Sequence, residues 1–186
     1  DKAKNKGVLV VANGKIISAR QIQKNYNHSL DALESSEIGI LGYVHNEIID
    51  FHATTLKKHT QYSDFDINTI SDLPNVDIIY TYAGNPTIDL SESTQGVIIA
   101  GVGSGNVNKQ TLKKLKSLQK NKIQIVRSSR YSGAPLYSGK SSEINDKFLN
   151  FVSANNLSPQ KARILLMLSL SQTNDPNKIR SYFETH

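Results

Sequence analysis

The sequence feature that most constrains the fold is residues 97–106, where a short apolar run, VIIA, is followed by GVGSGN. Four consecutive apolar residues rich in β-branched side chains predict a strand that is buried on both faces. The three alternating glycines predict a tight turn in which bare backbone approaches another group closely. Residues 107–120 carry leucines along one side, which predicts a helix. A strand, a glycine turn and a helix in this order indicate an α/β unit with a parallel sheet.

Asn106 falls at the predicted start of that helix, and the residues alone leave two interpretations of it open. Asn is a preferred N-cap residue, so Asn106 can satisfy the first turn of its own helix. A helix N-terminus also favours a carboxylate or a phosphate, so Asn106 can equally belong to a ligand site. The spacing departs from the dinucleotide pattern G-x-G-x-x-G, because the third glycine comes one residue early. A non-catalytic module that binds an anion or a nucleotide is therefore an alternative function.

Composition excludes several other classes of site. The chain has no Cys, which excludes disulfides and thiolate metal sites, and its five His show no H-x-x-x-H pair of the kind that binds zinc. The apolar runs are too short to predict a membrane span. The net charge of +6 raises the question of a nucleic-acid partner. Because the Lys residues are dispersed along the chain, they favour a solvated surface instead.

Two β-hairpins are predicted in the first fifty residues. The dipeptide Asn13-Gly14 separates two apolar runs and is a strong signal for the first hairpin, within residues 8–19. The second hairpin is predicted within residues 42–51. Residues 20–29 are polar and are predicted to form a loop between the two.

The chain is predicted to divide into three parts. Residues 1–53 are interpreted as the tail of a domain whose body is missing, because two hairpins leave faces that something else must cover. We expect the body of that domain to precede Asp1, which is not an initiator Met. Residues 54–74 lack periodicity and are predicted to be a linker. Residues 75–186 alternate strands with helices, which predicts a C-terminal α/β domain of three layers around a small parallel sheet.

Two helices are predicted to close the chain. Ser158-Pro159 combines an N-cap residue with a proline at the first helical position, which predicts a helix through about residue 171. Asp175-Pro176 repeats the signal for a last, shorter helix.

Seven segments, in the same order along the chain, resemble the type II bacterial L-asparaginases. They are KGVLVV (6–11), AR (19–20) with Lys24, LKKHT (56–60), LP (73–74) before VDIIY (76–80), AGVGSGN (100–106), VRSSR (126–130) and SPQKAR (158–163). Each segment is weak by itself, whereas seven in order are specific. The resemblance runs from Asp1 to His186, and it implies that the β-hairpins of residues 1–53 come from the end of the family's larger N-terminal α/β domain.

That resemblance implies an amidohydrolase that converts L-asparagine and water to L-aspartate and ammonia without a cofactor. Many members also hydrolyse L-glutamine more slowly. The family's nucleophile is a threonine in a segment that these 186 residues do not include, so the resemblance implies that the chain alone is inactive. Members are periplasmic or secreted homotetramers, built as pairs of intimate dimers. The implied partners are therefore a small molecule and further copies of the protein, and neither a nucleic acid nor a membrane.

The resemblance also implies three site residues and no metal. Lys24 matches a lysine that supports a second threonine, where a proton or positive charge raises the reactivity of the hydroxyl. Asn106 matches a residue that the neighbouring subunit contributes to the substrate pocket, and its amide can orient a polar substrate without adding charge. Glu143, from the neighbouring subunit as well, matches the acid that meets the ammonium group of the substrate.

Overall fold

The computed structural model describes residues 1–35, 39–84, 87–131, 135–136 and 144–186. The chain divides into two compact units, which we call unit 1 (Asp1–Asp64 with His186) and unit 2 (Phe65–Thr185). The boundaries expected from the sequence, 1–53, 54–74 and 75–186, stay a prediction beside this division.

Unit 1 is built from short antiparallel strands. Their bounds are β1 Leu9–Ala12, β2 Lys15–Ser18, β3 Ile22–Lys24, β4 Leu33–Ser35, β5 Gly42–His45 and β6 Ile48–Phe51. Four of them form one sheet in the order β1-β2-β5-β6, and β3 and β4 form a separate two-stranded ribbon. A 3-10 turn at Thr60–Tyr62 follows the last strand.

Both predicted hairpins are confirmed. Asn13 and Gly14 connect β1 to β2 with φ values of 47° and 70°, the left-handed conformation that a tight two-residue hairpin turn requires. Asn46 and Glu47 connect β5 to β6 in the same conformation, with φ values of 46° and 67°. The right-handed twist of antiparallel strands favours this kind of turn in both places.

The predicted loop at residues 20–29 is wrong in part, because β3 lies inside it. Ile22 pairs with Ser35 and Lys24 pairs with Leu33, so the ribbon supplies backbone partners along this stretch. Strand β3 is three residues long and contains a single apolar residue, Ile22, so it leaves no alternation of apolar residues to detect. The polarity of the segment therefore did not predict the strand.

Unit 2 contains a four-stranded parallel sheet in the order β10-β9-β8-β7. The strands are β7 Asn75–Tyr80, β8 Thr94–Gly101, β9 Gln124–Ser129 and β10 Val152–Ser153. The helices are α1 Lys109–Lys120, α2 Asp146–Leu149, α3 Pro159–Leu170 and α4 Pro176–Thr185, and a 3-10 turn lies at Ile67–Thr69. The α/β fold class and the small parallel sheet are confirmed.

The sheet of unit 2 separates two apolar clusters, which makes the three layers. On one face, Val97 and Ile99 of β8 pack with Leu115 of α1. On the other face, Ile98 of β8 packs in a cluster that includes Leu166 of α3. Successive residues of a strand point to opposite faces, so the unbroken apolar run of β8 serves both clusters. Seven of the eight residues of β8 are buried, as its composition predicted.

The last two helices begin where their capping signals predicted. The hydroxyl of Ser158 accepts a hydrogen bond from the Lys161 backbone N–H at 3.4 Å, and Pro159 is the first helical residue of α3. The carboxylate of Asp175 accepts from the Asn177 backbone N–H at 2.9 Å at the start of α4. These caps satisfy N–H groups that have no partner inside their own helix.

Candidate functional site

Three neighbouring parallel strands of unit 2 end at one edge of the sheet, and residues 101–106 form a tight turn there, which we call the glycine turn. Val102 and Asn106 close it with two backbone hydrogen bonds, from Val102 N to Asn106 O at 2.9 Å and from Asn106 N to Val102 O at 2.8 Å. Open α/β sheets bind ligands beyond the carboxyl ends of their strands. The glycine turn therefore occupies the position at which a ligand site is expected.

The interpretation of Asn106 as the N-cap of helix α1 is wrong. The cap is Asn108, whose side-chain oxygen accepts from the Thr111 backbone N–H at 2.8 Å, and α1 begins at Lys109. Asn106 falls short of the helix because its backbone is engaged with Val102 across the turn. The argument from a helix N-terminus for an anion at Asn106 is thereby removed.

The side chain of Asn106 is half-buried. In the part of the chain that the structure describes, its amide makes no hydrogen bond to another residue. The backbone of Asn106 is therefore fixed, while its side-chain N–H and C=O groups can bind a polar ligand.

Close packing of backbone explains the glycines. A Cβ on Gly101 would lie 2.3 Å from the carbonyl carbon of Gly105 and 2.6 Å from the carbonyl oxygen of Asn106. Gly105 has a φ of 75°, and a Cβ there would lie 3.0 Å from Nη1 of Arg127. The turn therefore leaves no room for side chains at these two positions.

A buried ion pair lies against the glycine turn. Arg127 of β9 donates from Nε to Oδ1 of Asp146 at 2.7 Å and from Nη2 to Oδ2 at 2.6 Å. Its remaining nitrogen, Nη1, donates to the carbonyl oxygen of Ser104 in the turn. Two parallel bonds to one carboxylate fix the plane of a guanidinium, so its third nitrogen reaches the turn in a defined direction.

Two serines follow Arg127 on β9 and have different partners. The hydroxyl of Ser129 donates to the carbonyl oxygen of Gly103 in the glycine turn at 2.7 Å, and it accepts from the Tyr131 backbone N–H at 3.0 Å. The hydroxyl of Ser128 donates to the Leu157 carbonyl oxygen at 3.0 Å. Of these two hydroxyls, only that of Ser129 therefore bonds to the glycine turn.

Sequence reasoning missed Arg127, Ser129 and Asp146 as residues of this site. A charged residue inside an apolar strand was an available signal, because Arg is rarely buried without a partner. Asp146 gave no comparable signal, since it opens a short helix 19 residues further along the chain.

The structure describes Lys24 within unit 1 and Asn106 within unit 2. Lys24 is exposed at the end of β3, and its ammonium group has no ion pair or hydrogen bond among the described residues. Glu143, the predicted acid, lies outside the described residues. The roles assigned to these three residues stay predictions.

A cleft lies at the opposite end of the unit 2 strands from the glycine turn. Its volume is about 560 Å³, and it is lined by residues that include Thr94 and Gln124, the first residues of β8 and β9.

Among the described residues, no group of His, Asp and Glu could hold a metal ion. Within the same described part, no helix is long and apolar enough to cross a bilayer.

Two family models match the chain. Residues 1–57 match "Asparaginase, N-terminal", and residues 75–183 match "Glutaminase/Asparaginase C-terminal domain". Fold and site together thus define a three-layer α/β domain with a glycine turn at the carboxyl edge of its sheet. The chain belongs to the glutaminase/asparaginase C-terminal domain family.

Relatives match almost every residue of the chain. The "Probable L-asparaginase periplasmic" of Haemophilus influenzae is 38% identical over 98% of this chain and 53% of its own length. "L-asparaginase 2" of Escherichia coli is 37% identical over 100% of this chain and 54% of its own length. The "Glutaminase-asparaginase" of Pseudomonas fluorescens is 35% identical over 97% of this chain and 51% of its own length. The chain therefore spans about half the length of these curated relatives.

A solved structure shares the fold. It is that of a "Probable Cytoplasmic L-asparaginase from Campylobacter jejuni", which is 38% identical and superposes with a TM-score of 0.89. The match covers 100% of this chain and 61% of that one. The resemblance seen in the seven sequence segments is confirmed.

Proposed function

We propose that these 186 residues are the C-terminal part of an L-asparagine amidohydrolase, which splits the side-chain amide into L-aspartate and ammonia. Membership of the family is the observation that carries this proposal. Relatives named L-asparaginase match the chain over almost its whole length. A relative named glutaminase-asparaginase supports L-glutamine as a second substrate.

The threonine nucleophile is supplied by residues outside this chain. Its hydroxyl forms an acyl-enzyme and releases ammonia, and water then opens the acyl-enzyme to L-aspartate. The match of residues 1–57 to the family model "Asparaginase, N-terminal" supports the role of unit 1 as part of a larger domain.

Lys24 acts in the site of its own subunit, and Asn106 and Glu143 act in the site of a neighbour. Lys24 holds a proton or positive charge beside the second threonine. Asn106 orients the substrate through its side-chain amide, and Glu143 faces the substrate's ammonium group. The half-buried side-chain amide of Asn106 bonds to no other described residue, which supports its role toward a substrate.

The assembly is a homotetramer of intimate dimers, in the periplasm or secreted. The name of the Haemophilus influenzae relative supports the periplasm, whereas the Campylobacter jejuni relative is described as cytoplasmic. Fractionation of the host cell decides between these compartments.

Ammonia release from L-asparagine tests the reaction. We expect none from the 186 residues alone, because the nucleophile is missing, and steady turnover from the full-length protein. A coupled ammonia assay measures both. Turnover by the 186 residues alone would show that they contain their own nucleophile, and a full-length protein that releases no ammonia would exclude the activity.

Mixing two inactive variants tests the shared site. We expect Lys24→Met and Asn106→Ala each to lower kcat/KM of the full-length enzyme, the first by roughly 100-fold or more because it removes a group that assists proton transfer. When the variants are mixed and reassembled, some sites combine an intact Lys24 with an intact Asn106 of the partner. Activity should therefore return.

A double variant, Lys24→Met with Asn106→Ala, mixed with Lys24→Met is the matched control, since every site in that mixture lacks Lys24. The substitution Lys113→Met on the exposed face of α1 controls for the loss of a lysine. A mixture of the two single variants that stays inactive, although it reassembles, would place both residues in the same subunit's site and contradict the proposal.

A further inference from the structure

We infer that Arg127 and Ser129 are positioning residues for Asn106: from strand β9 they hold the glycine turn by its carbonyl oxygens and so fix where the Asn106 amide stands. The role of Asn106 toward the substrate rests on the proposed function. The holding of the turn rests on the geometry of unit 2 alone.

Two successive carbonyl groups of the turn are held from the same strand. Nη1 of Arg127 donates to Ser104 O, and the hydroxyl of Ser129 donates to Gly103 O at 2.7 Å. Arg127 is 1% exposed and Ser129 is 3% exposed, so water does not compete for either donor. The turn cannot rotate away from β9 without breaking both hydrogen bonds.

Arginine suits this position because it serves two partners at once. Asp146 takes Nε and Nη2, and this leaves Nη1 directed at Ser104. A lysine ammonium is a point donor on a flexible stem and lacks the planar fork that spans both partners. Arg127 is thus oriented by Asp146 and in turn orients the glycine turn.

Asn106 depends on the turn for its position. Its backbone N–H and C=O both bond to Val102, while its side-chain amide bonds to no other residue in the described ranges. The location of that amide is therefore set through the backbone. A shift of about 1 Å in a substrate-orienting group can cost up to 100-fold in rate, so support for the turn bears on catalysis.

The neighbouring serines provide a matched test. Ser129→Ala and Ser128→Ala remove the same atom from buried positions on β9, and each deletes a hydroxyl that donates to a backbone carbonyl. Ser129→Ala also removes the acceptor of the Tyr131 backbone N–H. Only Ser129→Ala removes one of the two side-chain hydrogen bonds from β9 to the glycine turn. In the full-length enzyme we expect Ser129→Ala to raise KM for L-asparagine about fivefold to tenfold, while Ser128→Ala leaves KM unchanged. Equal KM values in the two variants would overturn the inference.

A double-variant cycle shows whether Ser129 acts through Asn106. In the background of Asn106→Ala, the added change Ser129→Ala should raise KM no further, because there is no longer an amide to misplace. An undiminished rise in that background would overturn the inference. Thermal unfolding of each variant separates this effect from a general loss of stability, since a merely structural role would lower Tm in both serine variants without splitting their KM values.

Hydrogen exchange tests the holding of the turn without any activity. The Asn106 backbone N–H, bonded to Val102, should exchange faster in Ser129→Ala than in Ser128→Ala. Equal exchange would show that the Ser129 hydroxyl does not hold the turn. If wild-type full-length protein released no ammonia, the proposed function would fail, and the exchange result would still decide whether the turn is held.

Discussion

Two ion pairs with the same N–O distance lie in contrasting regions of the molecule. In unit 2, Arg127 and Asp146 approach to 2.6 Å with side chains that are 1% and 4% exposed. In unit 1, Lys15 and Asp31 also approach to 2.6 Å, but their side chains are 29% and 49% exposed. A buried charge that loses its counter-ion cannot recover hydration, whereas an exposed one can. The N–O distance alone therefore does not show which pair contributes more to stability.

The strands that carry the candidate residues differ in the same way. Strand β8, which leads into the glycine turn, has seven of eight residues buried, whereas β3, which carries Lys24, has none. A two-stranded ribbon such as β3-β4 is marginally stable by itself. Asn106 is therefore positioned by buried contacts of its own unit to a greater degree than Lys24 is.

Removal of Asp146 should produce the largest effect on stability. We expect Asp146→Ala to lower the free energy of unfolding by about 3–5 kcal/mol, because it leaves the Arg127 guanidinium in the interior without its carboxylate. Urea unfolding followed by far-UV circular dichroism measures the change. Replacement of both partners, Arg127→Met with Asp146→Leu, should recover much of the loss because no charge stays buried. A loss below about 1 kcal/mol for Asp146→Ala would show that the buried pair behaves like a surface pair.

Glycine substitutions should have an intermediate effect that depends on contacts. Gly101→Ala places a Cβ 2.3 Å from the Gly105 carbonyl carbon, and we expect a loss of about 3 kcal/mol because backbone must move. Gly103→Ala, in the same turn, meets nothing within 4 Å and has a φ of 55°, so it should lose only about 1 kcal/mol from strain. Thermal unfolding of both variants measures the difference. Equal losses would mean that strain and not crowding selects glycine here.

The sequence was sufficient for elements that local chemistry determines. The apolar run of β8, the Asn13-Gly14 hairpin and the cap at Ser158 were all predicted, because strand burial, left-handed turns and helix starts each require particular residue types over a few positions. The start of α1 was misplaced by two residues. Asn106 and Asn108 are equally good caps, and only the backbone bridge to Val102 decides between them.

Tertiary contacts account for the rest of what the sequence did not predict. Arg127 and Asp146 are 19 residues apart, and no periodicity pairs them. Strand β10 is two residues long and exists through its pairing with Val126 and Arg127 of β9. The similarity to a known family predicted roles for Lys24, Asn106 and Glu143, whereas the contacts of Arg127 and Ser129 with the glycine turn appeared only with the packing of unit 2.

The smallest effect should come from the surface pair, and it is best seen as a pKa. The hydrogen bond from Lys15, followed by the one from Asn13, holds the pKa of the Asp31 carboxyl below its ordinary value of 3.8. A lowered pKa in the folded state means that Asp31 stabilises the fold above its unfolded pKa, and that this contribution is lost as the pH falls through the folded pKa. We expect Lys15→Met to raise the pKa of Asp31 toward 3.8. Carboxyl ¹³C chemical shifts measured from about pH 2 to 6, the range in which an Asp titrates, give this pKa.

The substitution Lys4→Met is the control for the Lys15 variant, because Lys4 pairs with Asp1 and not with Asp31. The control should leave the pKa of Asp31 unchanged. In both variants the free energy of unfolding at neutral pH should stay close to that of the wild type, since exposed ion pairs contribute little to it. In the wild-type protein the same pair also shifts the pKa of Lys15. It is raised above 10.5 chiefly by the Asp31 hydrogen bond, so its contribution is present below that pH and is lost as the pH rises through the folded pKa. A large loss of stability in Lys15→Met at neutral pH would mean that the exposed pair stabilises the fold as the buried pair does. Burial would then not determine how much an ion pair contributes.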